Sequence, residues 1–236
     1  MKVLKRIIKY FTPTEIIIWI FSVALTSASF FIFDGKGYFS YFASLIGITA
    51  LILCAKGNPL GQFLCIVFGT MYAIISFGFA YYGEVVTYGL MTVPMAILSF
   101  VAWLKNPYRG NISEVSINRI PKKEIPFIIL LATLVTFLLY LALKYLGTAN
   151  LLPSTISVFT SFIAVYLTFR RSPYYALAYA LNDIVLVVLW ILACTVDITY
   201  LSVVICFGVF LINDIYGFIS WKRIEKRQKS EEQSPL

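Results

Sequence analysis

Long apolar segments alternate with short polar ones along nearly the whole chain. Eight of the segments are long enough to cross the hydrocarbon core of a bilayer, which takes about 20 helical residues. They cover residues 15–33, 38–55, 60–82, 84–104, 126–146, 151–169, 175–195 and 198–221. Because backbone polar groups find no water inside a bilayer, such segments cross it as helices. The pattern predicts an all-α polytopic membrane protein with eight transmembrane helices.

The composition agrees with this class and narrows the chemistry. The chain is 60% hydrophobic and 13% charged, whereas soluble domains carry about 25% charged residues. It has no histidine, the commonest general base and metal ligand. The four cysteines lie in apolar segments without metal-ligand spacing, at Cys54, Cys65, Cys194 and Cys206. We therefore expect no metal, no cofactor and no enzymatic activity.

The basic residues predict the orientation in the membrane. If the N-terminus faces the cytoplasm, 17 of the 19 Lys and Arg residues fall on the inner side, and only Lys36 and Lys144 fall outside. This positive-inside distribution requires an even number of spans. Both termini are therefore predicted to be cytoplasmic. The net charge of +8 follows from topology, so the expected partner is the lipid bilayer and not nucleic acid.

Both ends of the chain carry polar residues next to an apolar segment. The first segment has the basic start of a signal peptide, but its apolar stretch exceeds the usual core of about 7–15 residues and continues through "FFIF". We favour an uncleaved helix over a signal peptide. The polar tail, residues 222–236, is charged and is predicted to fray or to remain disordered.

Two parts of the chain share an order of landmarks. "KGNP" at 56–59 precedes the third segment and "RRSP" at 170–173 precedes the seventh; each leads to a Trp before a basic boundary, Trp103 and Trp221. This order predicts two parallel three-helix units, 38–104 and 151–221, joined by a linker helix, 126–146. Transporters built in this way bind their substrate between the units. The two tryptophans also fit anchors at the membrane interface.

Polar side chains form one stripe on each of three predicted helices. On a helical wheel, the stripe of the seventh segment falls within about 100° of arc and includes Tyr179, Asn182, Asp183 and Trp190. The eighth segment has Asn213 in its stripe, and the third has Gln62 and Tyr72. Polar faces of membrane helices point to the protein interior or to a cavity. The small residues in these stripes equally suit plain helix packing.

Asp183 and Asp214 are the only acids well inside the segments. A carboxylate at the centre of a bilayer costs about 3 kcal/mol on insertion scales, so it indicates a function. At the helical rise, both lie about 10–15 Å from the inner boundary. The two Asn-Asp pairs are thus predicted to share one level of an antiparallel hairpin, as a substrate pocket, an inner gate or a structural clamp.

The candidate substrate-binding residues come from these stripes and from the segment ends: Asn182, Asn213, Asp183, Asp214, Trp190, Tyr179, Gln62, Tyr72, Tyr216 and Glu84. Glu84 follows "YYG" in a turn on the outer side, where it faces the external mouth or is simply solvated. Pro94 is predicted to kink the fourth helix, because it lacks a backbone N–H.

With "YYGE" at 81–84, "VAWLKNP" at 101–107 and "INDIYGFISW" at 212–221, the chain resembles the PnuC family of vitamin transporters. The resemblance implies an N-terminal helix followed by a 3+1+3 arrangement like that of SWEET sugar transporters. It implies facilitated diffusion of nicotinamide riboside, an NAD precursor, through the plasma (inner) membrane of a bacterium. It also implies a substrate between the two units, in contact with aromatic and amide side chains.

Asn182 matches the family's amide, but the residues before it depart from the family pattern. Riboside-transporting members resemble one another in a Trp-x-x-Trp before this Asn, whereas this chain has Tyr175-Ala176-Leu177-Ala178. The exact substrate therefore stays open, because thiamine and deoxynucleosides are carried by similar proteins.

A cationic aromatic substrate suits these residues. The pyridinium ring of nicotinamide riboside is attracted by the faces of Tyr and Trp, and Asp183 or Asp214 would complement its charge. Thiamine is also a cation, so charge does not separate the two. A non-transport receptor and an intramembrane aspartyl protease are further alternatives. Ion coupling and oligomeric state, including a homo-oligomer, also stay open.

Overall fold

The structure is a computed structural model that describes residues 10–78, 85–148 and 150–233. Within these ranges the chain forms eight α-helices and a two-stranded hairpin: α1 Pro13–Ser29, α2 Tyr38–Ala55, α3 Pro59–Gly78, α4 Val93–Leu104, β1 Pro107–Tyr108, β2 Asn111–Val115, α5 Ile125–Tyr145, α6 Leu151–Phe169, α7 Tyr175–Cys194 and α8 Leu201–Gln233. Eight helical segments are long and apolar enough to cross a membrane. The predicted helical class and number of spans are confirmed.

Two of the helices adjoin a π-helical segment, in which the turns are wider than in an α-helix. α1 continues into a π-helical segment, Phe30–Asp34, and a second one, Thr87–Thr92, leads into α4. In the second, the N–H of Val93 donates to the carbonyl of Tyr88, five residues back. Pro94 follows directly, and its ring would clash with the carbonyl four residues before it in a regular helix. The chain accommodates Pro94 with a π-helical turn, and the kink itself stays a prediction.

Six of the helices form a closed ring. Each unit packs its own helices in sequence, α2 on α3 on α4 and α6 on α7 on α8. The units meet where α4 packs on α6 and where α8 packs on α2. α1 lies outside the ring against α2 and α8, and α5 lies outside it against α6. The third helix of each unit thus contacts the first helix of the other, as a parallel repeat requires, and this supports the predicted repeat.

Trp103 and Trp221 join the two units at one end of the ring, called here the Trp end. Trp103 Nε1 donates to the carbonyl of Thr168 at 3.0 Å, and Trp221 Nε1 donates to the carbonyl of Cys54 at 2.8 Å. Both indoles are fully buried. The expectation that they anchor the protein at the membrane interface is wrong, because the helices converge here and enclose them.

The turns after α2 and α6 have the same hydrogen-bond pattern. Gly57 N donates to the carbonyl of Cys54, and Arg171 N donates to that of Thr168. Both turns use a left-handed residue, Gly57 at φ +69° and Arg171 at φ +57°. A glycine adopts this conformation without steric cost, whereas an arginine does not. The match extends the similarity of the two units to their backbone.

One short segment, which begins at the last residue of β2, binds both turns. Val115 N donates to the carbonyl of Gly57 at 2.9 Å, and Asn118 N donates to the carbonyl of Arg171 at 3.0 Å. The Asn118 side chain also donates to the carbonyl of Arg170. We call residues 115–118 the clasp, because they connect equivalent turns of the two units.

The polar end of α8 is helical through Gln233. Gln228 is 4% exposed; its Oε1 accepts from the N–H of Ile117, and its Nε2 donates to the carbonyl of Val115. Arg227 pairs with Glu114. The prediction of a frayed tail is wrong for residues 222–233, because these side chains fix the end of α8 to the clasp and to β2.

Candidate functional site: an acidic cavity inside the helix ring

The six-helix ring encloses a cavity of about 510 Å³, a size typical of small-molecule sites. Near the Trp end its wall consists of buried residues, among them Cys54, Ser99 and Thr168. At the opposite end, called the loop end, the wall includes the exposed residues Asn150 and Val196 of the connections α5–α6 and α7–α8. Over the described residues, the cavity is closed at the Trp end and reaches the surface at the loop end.

Asp183 of α7 and Asp214 of α8 lie together in the cavity wall. Each is 4% exposed, and their carboxyl groups are within hydrogen-bonding reach of each other. The two helices run antiparallel, so residues at equal depth meet. The prediction that the pairs share one level is confirmed for the aspartates. The described residues that line the cavity include no Lys or Arg, so none of them can carry a positive charge.

Asn182 lies beside the acid pair, and three hydroxyls of α6 fix its side chain. Its Oδ1 accepts from Thr160 at 2.8 Å, from Ser161 at 2.9 Å and from Ser157 at 3.4 Å. The carbonyl side of the amide is thus occupied, and among the described residues its Nδ2 has no acceptor. Asn182 is 5% exposed and lines the cavity. It therefore presents a hydrogen-bond donor to whatever the cavity holds.

Asn213 points away from the cavity. Its Nδ2 donates to Ser22 Oγ of α1 at 2.9 Å and to the carbonyl of Val209 at 2.8 Å. Consecutive residues on a helix are about 100° apart, so Asn213 turns outward where Asp214 turns inward. The two asparagines thus diverge to α6 and α1, while the two aspartates converge.

Three further candidates do not line the cavity within the described residues. The Tyr216 hydroxyl donates to Glu15 Oε1 at 3.2 Å, and Glu15 also forms an ion pair with Lys56 at 3.1 Å. Tyr72 lies behind the wall, with its ring 4.6 Å from that of Tyr88. Glu84 lies outside the described residues.

Gln62, Tyr179 and Trp190 all line the cavity. Gln62 Nε2 donates to Cys54 Sγ at 3.1 Å. The ring of Tyr179 is 6.2 Å from that of Tyr175, and Trp190 is 5.4 Å from Tyr200. Aromatic side chains therefore lie in the wall on both sides of the acid pair along α7.

Sequence reasoning missed the hydroxyl side chains of α6 and the aromatic side chains Phe68, Tyr88 and Tyr200, all of which line or support the wall. A signal for α6 was present. Ser154, Ser157, Ser161 and Thr168 recur at helical spacing in an apolar segment, and this spacing places them on one face. No comparable pattern marks the aromatic residues, because the segments are rich in them throughout.

Comparison with known proteins decides the family. Residues 37–223 match the model of the nicotinamide mononucleotide transporter family. The chain belongs to this family. Only α1 and the last part of α8 lie outside the matched range, so the match takes in the whole helix ring and the cavity.

Two relatives bear the same name. The chain is 24% identical over 221 residues to the nicotinamide riboside transporter PnuC of Neisseria mucosa, with coverage of 91% of this chain and 83% of that protein. It is 21% identical to the nicotinamide riboside transporter PnuC of Haemophilus influenzae, with coverage of 91% and 92%. The resemblance to the PnuC family is thereby confirmed.

The fold of a solved relative agrees. A crystal structure described as that of the vitamin B3 transporter PnuC superposes with a TM-score of 0.80, at 22% sequence identity, and covers 92% of this chain and 94% of that one. The helix ring and its connections are therefore the fold of this transporter family.

Proposed function

We propose that the chain carries nicotinamide riboside across the membrane. The observation behind this proposal is a cavity with two carboxyl groups and no basic side chain among its described lining residues. The riboside is a cation, and an acidic wall complements it. The mononucleotide adds a phosphate, which would lie in the same cavity without an Arg or Lys partner. The charge of the wall thus favours the riboside over the mononucleotide that names the family.

Each part of the riboside has a complementary group in the wall. Asp183 and Asp214 attract the pyridinium charge, and the faces of Tyr179 and Trp190 suit its flat ring. Asn182 Nδ2 and the Gln62 carbonyl suit the ribose hydroxyls, which both donate and accept. Asn213, Tyr72 and Tyr216 have no place in this proposal, because they face other helices.

The orientation of the cavity in the membrane follows from the charge distribution along the chain. With 17 of 19 basic residues on one side, we place both termini in the cytoplasm of a bacterium with this protein in its plasma membrane. The Trp end of the ring then faces the cytoplasm, and the loop end faces outward. In this arrangement the cavity is open to the outside and closed within, as at the start of an uptake cycle.

We further propose that the two units, 38–104 and 151–221, move relative to each other during transport, with 126–146 as the linker helix. This movement closes the loop end and opens the Trp end around the fixed site. The reciprocal tryptophan hydrogen bonds and the equivalent turns support this division. Uptake runs down the substrate gradient by facilitated diffusion, without a nucleotide and without any cofactor.

A binding screen tests the substrate. Purified protein is titrated with nicotinamide riboside, its mononucleotide, thiamine and a deoxynucleoside. We expect the riboside to bind at least about tenfold more tightly than the mononucleotide, equivalent to about 1.4 kcal/mol. A mononucleotide that binds as tightly as the riboside would contradict the proposal. If only thiamine binds, the cavity is still a cation site, but its substrate is thiamine and not nicotinamide riboside.

The adjacent aspartates also favour one second candidate. Two carboxyl groups that share a proton are the chemistry of an aspartyl protease. Family membership favours transport, since the matched proteins are named transporters. Flux of labelled riboside into liposomes that contain the protein separates the two functions.

A further inference from the structure

The acid pair lacks a countercharge. Asp183 and Asp214 are each more than nine-tenths buried, and Asp183 Oδ2 meets no N–H or hydroxyl donor among the described residues. Two adjacent carboxylates in a poorly hydrated cavity repel each other and lose their hydration. A hydrogen bond between two carboxyl groups also needs a proton on one of them. The geometry therefore requires at least one proton on the empty pair, and the lack of a countercharge favours a second one, which makes the pair neutral.

Within the described residues, no neighbouring helix supplies a cation instead. The titratable groups around the pair are thiols and phenols, which carry no positive charge in either protonation state: Cys54 of α2, Cys65 of α3, Tyr175 and Tyr179 of α7, and Cys206 of α8. α1 and α6 hold their charges at their ends, where Glu15 pairs with Lys56 and Arg170 with Glu124. The pair thus has only its own protons to neutralise it.

A second feature points to a ligand at this place. Asn182, the residue before Asp183, is 5% exposed and lines the cavity. Three hydroxyls donate to its Oδ1, while its Nδ2 donates to none of the described residues and is available to a ligand in the cavity. The donor and the acid pair therefore face the same bound molecule.

We propose that Asp183 and Asp214 hold exchangeable protons in the empty cavity and release one of them when a planar monovalent cation binds. This deepens the proposed function and rests on it for the identity of the cation. The exchange balances in charge: one cation enters the cavity, one proton leaves to the solvent, and the pair becomes a singly charged carboxyl–carboxylate. When the cation leaves the cavity, the pair takes one proton back from the solvent on that side, so at equal pH on both sides uptake still runs down the substrate gradient. No bond other than an O–H bond is broken.

The exchange of a proton for a cation determines which ligands the cavity prefers and how their affinity depends on pH. A neutral molecule of the same shape displaces no proton, so its affinity is independent of pH. A monovalent cation binds more tightly as the pH rises, by about tenfold per pH unit for one released proton. The gain stops at the pH where the empty pair has already lost that proton. The cavity is thus neutral when empty and acquires its negative charge only with its substrate.

The first measurement needs no ligand. Infrared spectra of the purified protein at pH 7 are compared with those of Asp183→Asn, Asp214→Asn and the double variant. We expect the carbonyl band of a protonated carboxylic acid in the unsubstituted protein and its loss in the double variant. Asp34→Asn, in the turn after α1, is the matched control and leaves the band unchanged. An unsubstituted protein that shows only ionised carboxylates overturns the proposal, whether or not the riboside binds.

The second measurement uses two ligands of one shape. Nicotinamide riboside is a cation, and its dihydropyridine form is neutral. Calorimetric titration in two buffers of different protonation enthalpy gives the protons released per ligand. We expect about one proton for the cation and none for the neutral form. A cation that binds with no proton release and no pH dependence overturns the exchange.

The two readouts separate this proposal from the proposed function. If the carboxylic acid band is present but the riboside does not bind at any pH, the riboside assignment fails. Thiamine, another planar cation, then takes its place in the calorimetric titration and must release the proton. Because the calorimetric titrations use the unsubstituted protein, their result does not depend on how well the variants fold.

Discussion

The indole rings of Trp103 and Trp221 lie against each other, with centroids 5.2 Å apart, and each ring donates its N–H to the opposite unit. Trp103 ends the first unit and binds the first helix of the second; Trp221 ends the second and binds the first helix of the first. The two hydrogen bonds thus close the same end of the ring in a reciprocal way. Separation of the units at this end would break both.

Loss of either indole N–H should loosen the Trp end. Trp103→Phe and Trp221→Phe each keep an aromatic ring but remove one hydrogen bond, at a cost of about 0.5–1.5 kcal/mol. We expect a lower melting temperature for each variant in detergent. The control is Trp19→Phe, which removes the hydrogen bond from Trp19 to Thr49 in a more exposed position. Equal melting temperatures for all four proteins would show that the reciprocal bonds contribute nothing.

Asn182 and Asn213 should respond in opposite ways to the same substitution. Asn182→Ala removes a donor that faces the cavity and should weaken riboside binding by about 5- to 150-fold, or 1–3 kcal/mol. Asn213→Ala removes the bond to Ser22 and should lower the melting temperature with affinity unchanged. Calorimetry and thermal unfolding on the same samples measure both. A reversed pattern would place Asn213, and not Asn182, at the substrate.

These two residues show what periodicity can and cannot predict. The helical wheel places Asn182 and Asp183 on one broad polar arc, and it places both Asn-Asp pairs at one depth. It does not show which neighbouring helix each side chain meets. That depends on the packing of α7 against α6 and of α8 against α1, through hydrogen bonds between residues 21 and 191 positions apart. Depth was predictable from the sequence, whereas the partners were not.

The end of α8 should contribute to stability through one glutamine. Gln228→Ala leaves the N–H of Ile117 and the carbonyl of Val115 without their partner. We expect a loss of about 1–3 kcal/mol in the free energy of unfolding. Gln233→Ala, at the last helical residue, is the matched control. If the two variants have the same free energy of unfolding, the contact of α8 with the clasp does not contribute to stability.

The polar tail misled sequence reasoning because its composition is that of a disordered segment. Its order comes from partners in a distant strand, Glu114 and Val115 of β2, which no local pattern can show. The interfacial role expected of Trp103 and Trp221 failed for a similar reason. The sequence correctly places both tryptophans near the ends of apolar segments, but only the packing of the helix ring shows that they are enclosed.

The orientation can be tested from outside the cell. A cysteine in place of Ser230 should resist a membrane-impermeant maleimide in intact cells and react after lysis. A cysteine in place of Lys36, in the exposed turn between α1 and α2, should react without lysis. The unsubstituted chain, with its four native cysteines, gives the baseline. Labelling of the Ser230 variant in intact cells would reverse or break the proposed topology.

Uptake should need nothing but a substrate gradient. In liposomes with equal pH and equal salt on both sides, labelled riboside should enter until its concentrations match, without added nucleotide. Liposomes with the double Asp183→Asn, Asp214→Asn variant should take up far less, because the cavity can no longer acquire a negative charge. If the unsubstituted protein transports only after a sodium or proton gradient is imposed, facilitated diffusion is contradicted.

The clasp is remote from the cavity, but it can change the apparent affinity for the substrate. Its bonds from Val115 to Gly57 and from Asn118 to Arg171 favour the state that is closed at the Trp end. In the proposed orientation, substrate arriving from outside binds only this state, so its apparent affinity is the intrinsic affinity scaled by the fraction of molecules in that state. A stronger or weaker clasp shifts that fraction without any change in the pocket. Two members of the family with identical cavities can therefore differ in their half-saturating concentration.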